Sequence, residues 1–314
     1  MMGRYIFGRL LQLIPTLFVI TVLIFLLAHM APGDPITAMA GIGASQELID
    51  NIKAQYGLDQ PLVVQYGRWI LHVLRGDLGT SITTHQSVAS MTWDRLEVTL
   101  LLAILGTFFS VIIAVPLGIL AATRKGTWVD SLAMGFTSLS ISVPSFFTAI
   151  LLIVIFGVQL RWVPFAGYPG LANDFWGSIQ RLILPTISVA LIYLALLARM
   201  VRSEMLEVLR SDFVRTARGK GLRERSVLIS HALRNALLPS INLVTLNFAS
   251  LLGGTVIIEE VFALPGIGRL TIQAVLQRDF PVIQGITLFV GVVFILASLA
   301  ADLISFKADP RVSL

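Results

Sequence analysis

Long apolar runs without a charged side chain recur along this chain and dominate its pattern. A hydrocarbon layer about 30 Å thick is crossed by a helix of roughly 20 residues, and six runs approach or exceed that length. They are Leu10–Met30, Val98–Thr123, Ser131–Leu160, Leu182–Ala198, Ala236–Ile258 and Val282–Ala301. The pattern therefore predicts an all-α membrane protein with six transmembrane helices.

The composition agrees with lipid as the solvent for most of the chain. Hydrophobic residues make up 56% of the 314 positions and charged residues only 13%, and the mean hydropathy is +0.85. These values lie outside the range of soluble globular domains. The chain contains no cysteine, so disulfides and thiolate metal sites are excluded.

The distribution of arginine and lysine predicts the orientation of the spans. With the N-terminus inside, 15 of the 23 basic residues lie on the side of both termini, as the positive-inside rule requires. Many of the others lie in one long segment, where translocation is less sensitive to charge. Both termini are therefore expected in the cytoplasm, and the net charge of +5 needs no nucleic-acid partner.

The spans divide the chain unevenly. We expect an N-terminal tail with the first helix at 1–30 and an extracytoplasmic segment at 31–97. A five-helix core follows at 98–306 and includes a cytoplasmic loop at 199–235. The chain is expected to end in a cytoplasmic tail at 307–314. In the extracytoplasmic segment, Pro32-Gly33-Asp34-Pro35 predicts a turn, and short helices are expected over Glu47–Tyr56 and Leu62–Leu74.

The cytoplasmic loop 199–235 is long and basic, yet it has a helical apolar pattern. Apolar residues recur at spacings of three and four, at Met205, Leu206, Leu209, Phe213 and Val214. A second helical run, Arg223–Leu233, follows Gly221, whose expected positive φ would let the chain reverse. The simpler interpretation is a solvated basic loop, but an amphipathic helix needs a partner for its apolar face, either lipid headgroups or another protein.

Two stretches of this loop resemble a known motif. Asp212-Phe-Val-Arg-Thr-Ala-Arg-Gly-Lys-Gly-Leu222 and His231-Ala-Leu-Arg-Asn-Ala-Leu-Leu-Pro239 are similar to the cytoplasmic coupling motif of ABC-importer permeases. In that motif Glu-Ala-Ala precedes the glycine, whereas this chain has Arg215-Thr216-Ala217. Its longer spacing of 14 residues, 222–235, resembles the dipeptide, oligopeptide and nickel class, first permease subunit. Six further stretches agree, at Ala31–Pro35, Gly57–Pro61, Gly76–Gly79, Glu260–Arg269, Arg278–Pro281 and Asp309–Arg311.

The resemblance implies a type-1 ABC importer permease fold in the bacterial cytoplasmic membrane. It implies a second homologous permease, two cytoplasmic ATPase subunits and an extracytoplasmic solute-binding protein as partners. Docking on an ATPase would fall to Asp212, Arg215, Thr216, Ala217, Arg218, Gly221 and Leu222. The solutes of this class are di- and oligopeptides, with nickel chelates, glutathione and oligosaccharides as alternatives. ATP and magnesium would be held by the ATPase subunits, and this chain is expected to bind no cofactor or metal.

The residues themselves argue against other classes of function. A P-loop requires Gly, four residues, then Gly-Lys-Ser/Thr, and none of the four lysines stands in that setting. The four histidines are scattered, without the HExxH spacing of a zinc hydrolase. An ion-coupled secondary transporter usually places acidic groups near the midplane, whereas Glu259, Glu260 and Asp302 lie near span ends.

Polar residues inside two spans are candidates for a translocation path. Ser138, Ser142 and Ser145 would share one face of a straight third helix, and Asn242 and Thr245 one face of the fifth. Small and hydroxyl residues also mediate close helix packing, which is the favoured alternative.

The segment after the fifth span is neither long nor apolar enough to cross the membrane. It is a candidate for an outer gate or a receptor contact, through Glu259, Glu260, Pro265, Gly266 and Gly268.

Overall fold

The computed structural model describes residues 2–30, 45 and 59–308. Within these ranges the chain is helical, and the one β pairing there is an isolated bridge between Thr80 and Ser87. The turn expected at Pro32–Pro35, the helix expected over Glu47–Tyr56 and most of the tail 307–314 lie outside the described residues. The helix expected over Leu62–Leu74 is confirmed.

The chain forms two compact units. The first unit comprises residues 1–99 and 265–295, and the second comprises 100–264 and 296–314. The helices are α1 Met2–Met30, α2 Leu62–Leu74, α3 Val88–Thr123, α4 Trp128–Ser142, α5 Ser145–Leu152, α6 Phe175–Val208, α7 Asp212–Gly219, α8 Glu224–Ser226, α9 Arg234–Ala236, α10 Leu238–Gly254, α11 Val256–Val261, α12 Ile267–Gln277 and α13 Phe280–Ala308. Two π-helical segments, π1 Ile153–Gln159 and π2 Val227–Leu233, follow α5 and α8 without a break.

Three of these helices, α3, α6 and α13, are long and apolar enough to span a membrane. Two further spans would each consist of a bent pair of helical segments. One pair is α4 and the continuous segment α5–π1, and the other is the continuous segment α8–π2–α9 and α10. If each pair is one span, the number of candidate spans is five. The first apolar run lies in α1, which includes the apolar stretch Leu13–Leu26. All six apolar runs of the sequence therefore fall in these helices.

The third apolar run is not one straight helix. Its two halves meet at Val143 and Pro144 and are bent by 101°. Val143 leaves the helix with φ −91° and ψ 122°, because the residue before a proline is pushed out of the α region. The expectation that Ser138, Ser142 and Ser145 share one helical face is therefore wrong for Ser145, which begins α5 beyond the bend.

Helices α3 and α6 approach each other closely in the second unit. Small residues recur every four positions on the buried face of α3, at Gly106, Ser110, Ala114, Gly118 and Ala122. Ser110 Oγ donates across the interface to the carbonyl oxygen of Ala190 at 3.0 Å. A Cβ atom at Gly118 would lie 2.8 Å from the carbonyl oxygen of Ala198. Only small residues permit backbones to approach this closely in membrane helices.

The first unit has its own apolar core and a buried carboxylate. Val88, Ile267, Leu270, Ala274, Val282 and Ile286 form the core. At the corner between α12 and α13, the carboxylate of Asp279 is almost fully buried and accepts hydrogen bonds from the Ser81 hydroxyl at 2.5 Å and the Thr83 hydroxyl at 2.9 Å. The backbone N–H of Ile82 donates to it at 3.2 Å. These bonds satisfy a charged group that would be costly to bury unpaired.

Candidate coupling module and path

The cytoplasmic loop predicted from the sequence begins later than expected. The helix of the fourth apolar run continues past Ala198 to Val208, so Met205 and Leu206 belong to α6. The chain then turns through residues 209–211, where Ser211 Oγ donates to the carbonyl oxygen of Val208 at 2.6 Å. A separate short helix, α7, begins at Asp212. We call α7 and the turn that follows it, residues 212–222, the coupling module.

The glycine turn at the end of α7 is confirmed in detail. Gly221 has φ +74°, a left-handed conformation that glycine adopts at little cost. Its N–H donates to the carbonyl oxygen of Arg218 at 2.9 Å, and the N–H of Leu222 donates to that of Ala217 at 3.4 Å. This pair of bonds is the Schellman arrangement, which satisfies the last carbonyl groups of a helix. The chain therefore leaves the coupling module in a defined direction.

The apolar face of α7 is mostly satisfied within the chain. Val214 is fully buried and Ala217 nearly so, in a core that includes Met205 of α6 and Val227 and Ala232 of π2. The sequence had left lipid or another protein as the partner of this face, and the structure provides a third partner, the chain itself. Phe213 and Leu222 remain exposed, at 46% and 41%. Helix α7 is therefore packed directly against α6 and π2.

Three of the four charged residues of the coupling module, Asp212, Arg215 and Arg218, form ion pairs on its outer surface. Arg215 forms an ion pair with Asp212 on the same helix. Arg218 donates to both carboxylate oxygens of Glu224, at 2.6 and 3.1 Å, across the glycine turn. The hydrogen bond to Glu224 raises the pKa of Arg218. Of the seven predicted coupling residues only Ala217 is buried, so the others form an exposed surface.

Two of the three serines proposed for the path lie on an exposed surface of α4, and the third, Ser145 at the start of α5, is half-buried. Ser138 and Ser142 are exposed, so they do not mediate close packing within the chain. Their hydroxyls donate to the carbonyl oxygens of Met134 and Ser138, each at 2.9 Å. Arg199 of α6 donates to Ser138 Oγ at 2.7 Å. On α10, Asn242 is exposed, and Thr245 is half-buried and donates to the carbonyl oxygen of Ile241 at 3.0 Å.

Comparison with known sequences decides the family. The family described as "Binding-protein-dependent transport system inner membrane component" matches residues 114–314, and its N-terminal counterpart matches residues 2–103. The chain belongs to this family. It is the permease subunit of an ABC importer, a multi-pass inner-membrane protein, and not an enzyme.

The permease has relatives whose sequences align with it over almost its whole length. A putative peptide transport system permease protein of Brucella melitensis is 44% identical over 312 residues, 99% of each chain. The glutathione transport system permease protein of Salmonella paratyphi A is 40% identical over 311 residues, again 99% of each chain. Among solved structures, the inward-facing MetNI methionine ABC transporter superposes with a TM-score of 0.57 at 17% identity, covering 70% of this chain and 96% of that one. This last similarity supports the type-1 ABC importer permease fold.

The residues predicted for an outer gate of the permease fall in both units. In the second unit, Glu259 of α11 is fully buried and accepts from Thr255 Oγ1 at 2.8 Å, while Glu260 is exposed. In the first unit, Gly266 and Gly268 are buried at the start of α12. The N–H of Ile267 between them donates to Thr99 Oγ1 at 2.9 Å. Each group is thus fixed within its own unit.

One ion pair of the permease was missed by the sequence analysis. Arg202 of α6 donates from two nitrogens to the two carboxylate oxygens of Asp130 of α4, both at 2.7 Å. The backbone N–H of Gly126 donates to the same carboxylate at 3.0 Å. Arg199, one turn earlier on α6, donates to Thr137 Oγ1 at 3.0 Å. The only signal in the sequence was an aspartate next to an apolar run, which does not identify its partner.

Proposed function

We propose that this permease carries di- or oligopeptides across the membrane. The observation that supports this solute class is the 44% identity, over 99% of both chains, to a relative named as a peptide transport permease. The relative named for glutathione, at 40% identity, makes glutathione the first alternative. Nickel chelates and oligosaccharides remain further alternatives.

The proposal includes a complete importer. The chain pairs with a second homologous permease, an extracytoplasmic binding protein delivers the solute, and two cytoplasmic ATPase subunits bind ATP and magnesium. Both termini lie in the cytoplasm, as the bias of basic residues favours. The permease itself holds no cofactor or metal.

The coupling module is the proposed site of ATPase docking. Asp212, Arg215, Thr216, Arg218 and Leu222 present the exposed surface, and Ala217 and Gly221 set the position and exit of α7. A rigid lever is needed to convert closure of the ATPase subunits into a switch between two packings of the permease. The burial of Val214 and Ala217 against α6 and π2 supports this role.

The path and the gate complete the mechanism. Ser138 and Ser142 on α4, Ser145 at the bend, and Asn242 and Thr245 on α10 are proposed to line the route of the solute. Hydroxyl and amide groups replace part of the hydration shell of a polar solute in a low-dielectric interior. Glu259, Glu260, Pro265, Gly266 and Gly268 are proposed for the outer gate or the receptor contact.

Reconstitution into proteoliposomes tests the proposal. The permease is assembled with its cognate second permease, ATPase subunits and binding protein, and uptake of a labelled tripeptide is measured with and without ATP. We expect ATP-dependent uptake that unlabelled peptides compete with more strongly than glutathione, a nickel chelate or an oligosaccharide. Stronger competition by one of the latter three would reassign the solute. ATP turnover by the purified chain alone would contradict the separation of transport from hydrolysis.

A further inference from the structure

Helix α2 is short and exposed compared with the membrane-spanning helices. Its 13 residues, Leu62–Leu74, give a length of about 20 Å at 1.5 Å per residue. The hydrocarbon layer is about 30 Å thick, so α2 is too short to cross it. None of its residues is buried, which also distinguishes α2 from a helix in the core of a soluble domain.

One face of α2 is fixed to α1 by aromatic and polar contacts. The hydroxyl of Tyr66 lies 2.8 Å from that of Thr21. The ring of Phe25 contacts the rings of Tyr66 and Trp69, with centroid distances of 5.5 and 6.0 Å. Gln65 Oε1 lies 3.1 Å from Nε2 of His29. The position of α2 is therefore set by a helix that carries one of the apolar runs.

A second face of α2 is apolar and is left exposed by the part of the chain that the structure describes. Val63, Leu71 and Leu74 are 82%, 55% and 77% exposed. At 100° per residue these three positions lie within an arc of about 80°, on the side away from the polar strip of Gln65, Arg68 and His72. An exposed apolar stripe of this kind, on a helix that also carries a polar strip, is typical of a helix lying in a membrane interface.

We propose that α2 lies in the plane of the bilayer interface and that phospholipid covers this apolar arc. Val63, Leu71 and Leu74 are buried among the upper acyl chains. Arg68 and Arg75, both exposed, are directed to the headgroup phosphates.

The charges around the arc favour lipid over a protein partner. Arg68 and Arg75 border the arc and complement phosphate, because neither is engaged by an acidic side chain in any salt bridge among the described residues, whereas His72 is paired with Asp77 at 3.1 Å. The segment between the first two spans is thus anchored to the membrane at α2.

Spin labels in the intact transporter test this placement. The chain has no cysteine, so single cysteines at Val63, Leu74 and Arg68 are labelled with a nitroxide in the complex reconstituted in nanodiscs that contain phosphatidylglycerol. We expect the labels at Val63 and Leu74 to collide mainly with oxygen, which partitions into lipid. The label at Arg68, the matched position on the polar strip, should collide mainly with a water-soluble nickel chelate.

Two results would overturn the proposal. Labels at Val63 and Leu74 that the nickel chelate reaches as readily as the label at Arg68 would place α2 in water. Labels shielded from both reagents would show that protein covers the arc, either a second permease or the binding protein. Each variant is first shown to co-purify with its ATPase subunits, so that misfolding cannot produce either result.

Discussion

Gly118 is the residue at which α3 and α6 leave least room. A Cβ atom there would lie 2.8 Å from the Ala198 carbonyl oxygen and 2.8 Å from Cβ of Val201, and backbone atoms cannot rotate away. We expect Gly118→Ala to lower the free energy of unfolding by about 1 to 3 kcal/mol, the usual cost of overpacking. Thermal unfolding of the purified complex measures this loss.

Gly135 supplies the matched control for that substitution. It lies inside α4, and a Cβ atom added there would meet nothing within 4 Å. Because alanine favours a helix by about 1 kcal/mol over glycine, Gly135→Ala should leave stability unchanged or raise it. Equal losses at the two glycines would contradict the close approach of α3 and α6.

The pair between Asp130 and Arg202 is expected to contribute to stability. The side chains of Asp130 and Arg202 are only 9% and 23% exposed, so solvent does not replace the lost contacts. Asp130→Asn should lower the free energy of unfolding by about 1.5 to 3 kcal/mol, the usual value of a hydrogen bond to a charged group. Asp212→Asn, which breaks the exposed pair with Arg215, should have no measurable effect. A similar loss in both variants, in the same thermal assay, would argue against a special role of the buried pair.

These residues also show how far a sequence alone could go. The stripe from Gly106 to Ala122 has a spacing of four that is visible in the sequence, although only the structure shows that α6 is its partner. Asp130 and Arg202 are 72 positions apart, and no local pattern joins them. Gly221 could be predicted, because a reversal between two helical runs requires a residue that accepts positive φ.

At the scale of elements, hydropathy located the helices but not their breaks. The apolar runs fall in α1, α3, α4 to π1, α6, α10 and α13, since burial in lipid demands long apolar helices whatever their detailed path. Hydropathy alone does not show the bend at Pro144, because a single proline does not interrupt a hydropathy window. The extension of α6 to Val208 was missed because a helix can leave the membrane and continue into water, where polarity no longer marks its end.

The exit of α7 yields a prediction about coupling. Gly221 has room for a side chain, with nothing within 4 Å, but its φ of +74° is strained for any other residue. Gly221→Val should therefore redirect the turn, leaving membrane insertion intact but reducing co-purification with the ATPase subunits or solute-stimulated ATP turnover. Gly219→Val is the control, since Gly219 lies inside α7 without a positive φ and with equal space. Equal effects of both substitutions would mean that the turn geometry does not matter.

The surface charge of α7 yields a second prediction about coupling. Arg218→Glu breaks the pair with Glu224 and places two carboxylates across the glycine turn. We expect normal accumulation of the permease but loss of ATPase co-purification. Arg225→Glu reverses the same charge at an exposed neighbour and should be tolerated. If lipid headgroups were the partner instead, both reversals would weaken attraction by a similar amount, about 1 kcal/mol each.

At the scale of the whole molecule, the orientation in the membrane is the central prediction. Single cysteines at Ser45 and at Arg225 are labelled with a membrane-impermeant thiol reagent in intact cells and in inverted vesicles. The cysteine at Ser45 should react only from outside and the one at Arg225 only from the cytoplasmic side. Reaction of both from one side would rule out an odd number of crossings between them, and with it the arrangement of spans proposed for this permease.

The π-helical segment π2 has a consequence for how this family can change during evolution. A π turn closes its hydrogen bond one residue later than an α turn, so π2 accommodates an additional residue between the coupling module and α10 while the flanking faces stay aligned. Loss of a single codon within Val227–Leu233 would return the segment to an α-helix and preserve that alignment. The same deletion inside α10 would rotate every following side chain of that helix by about 100°. Length variation among descendants of this gene should therefore accumulate in π2 and be purged from α10.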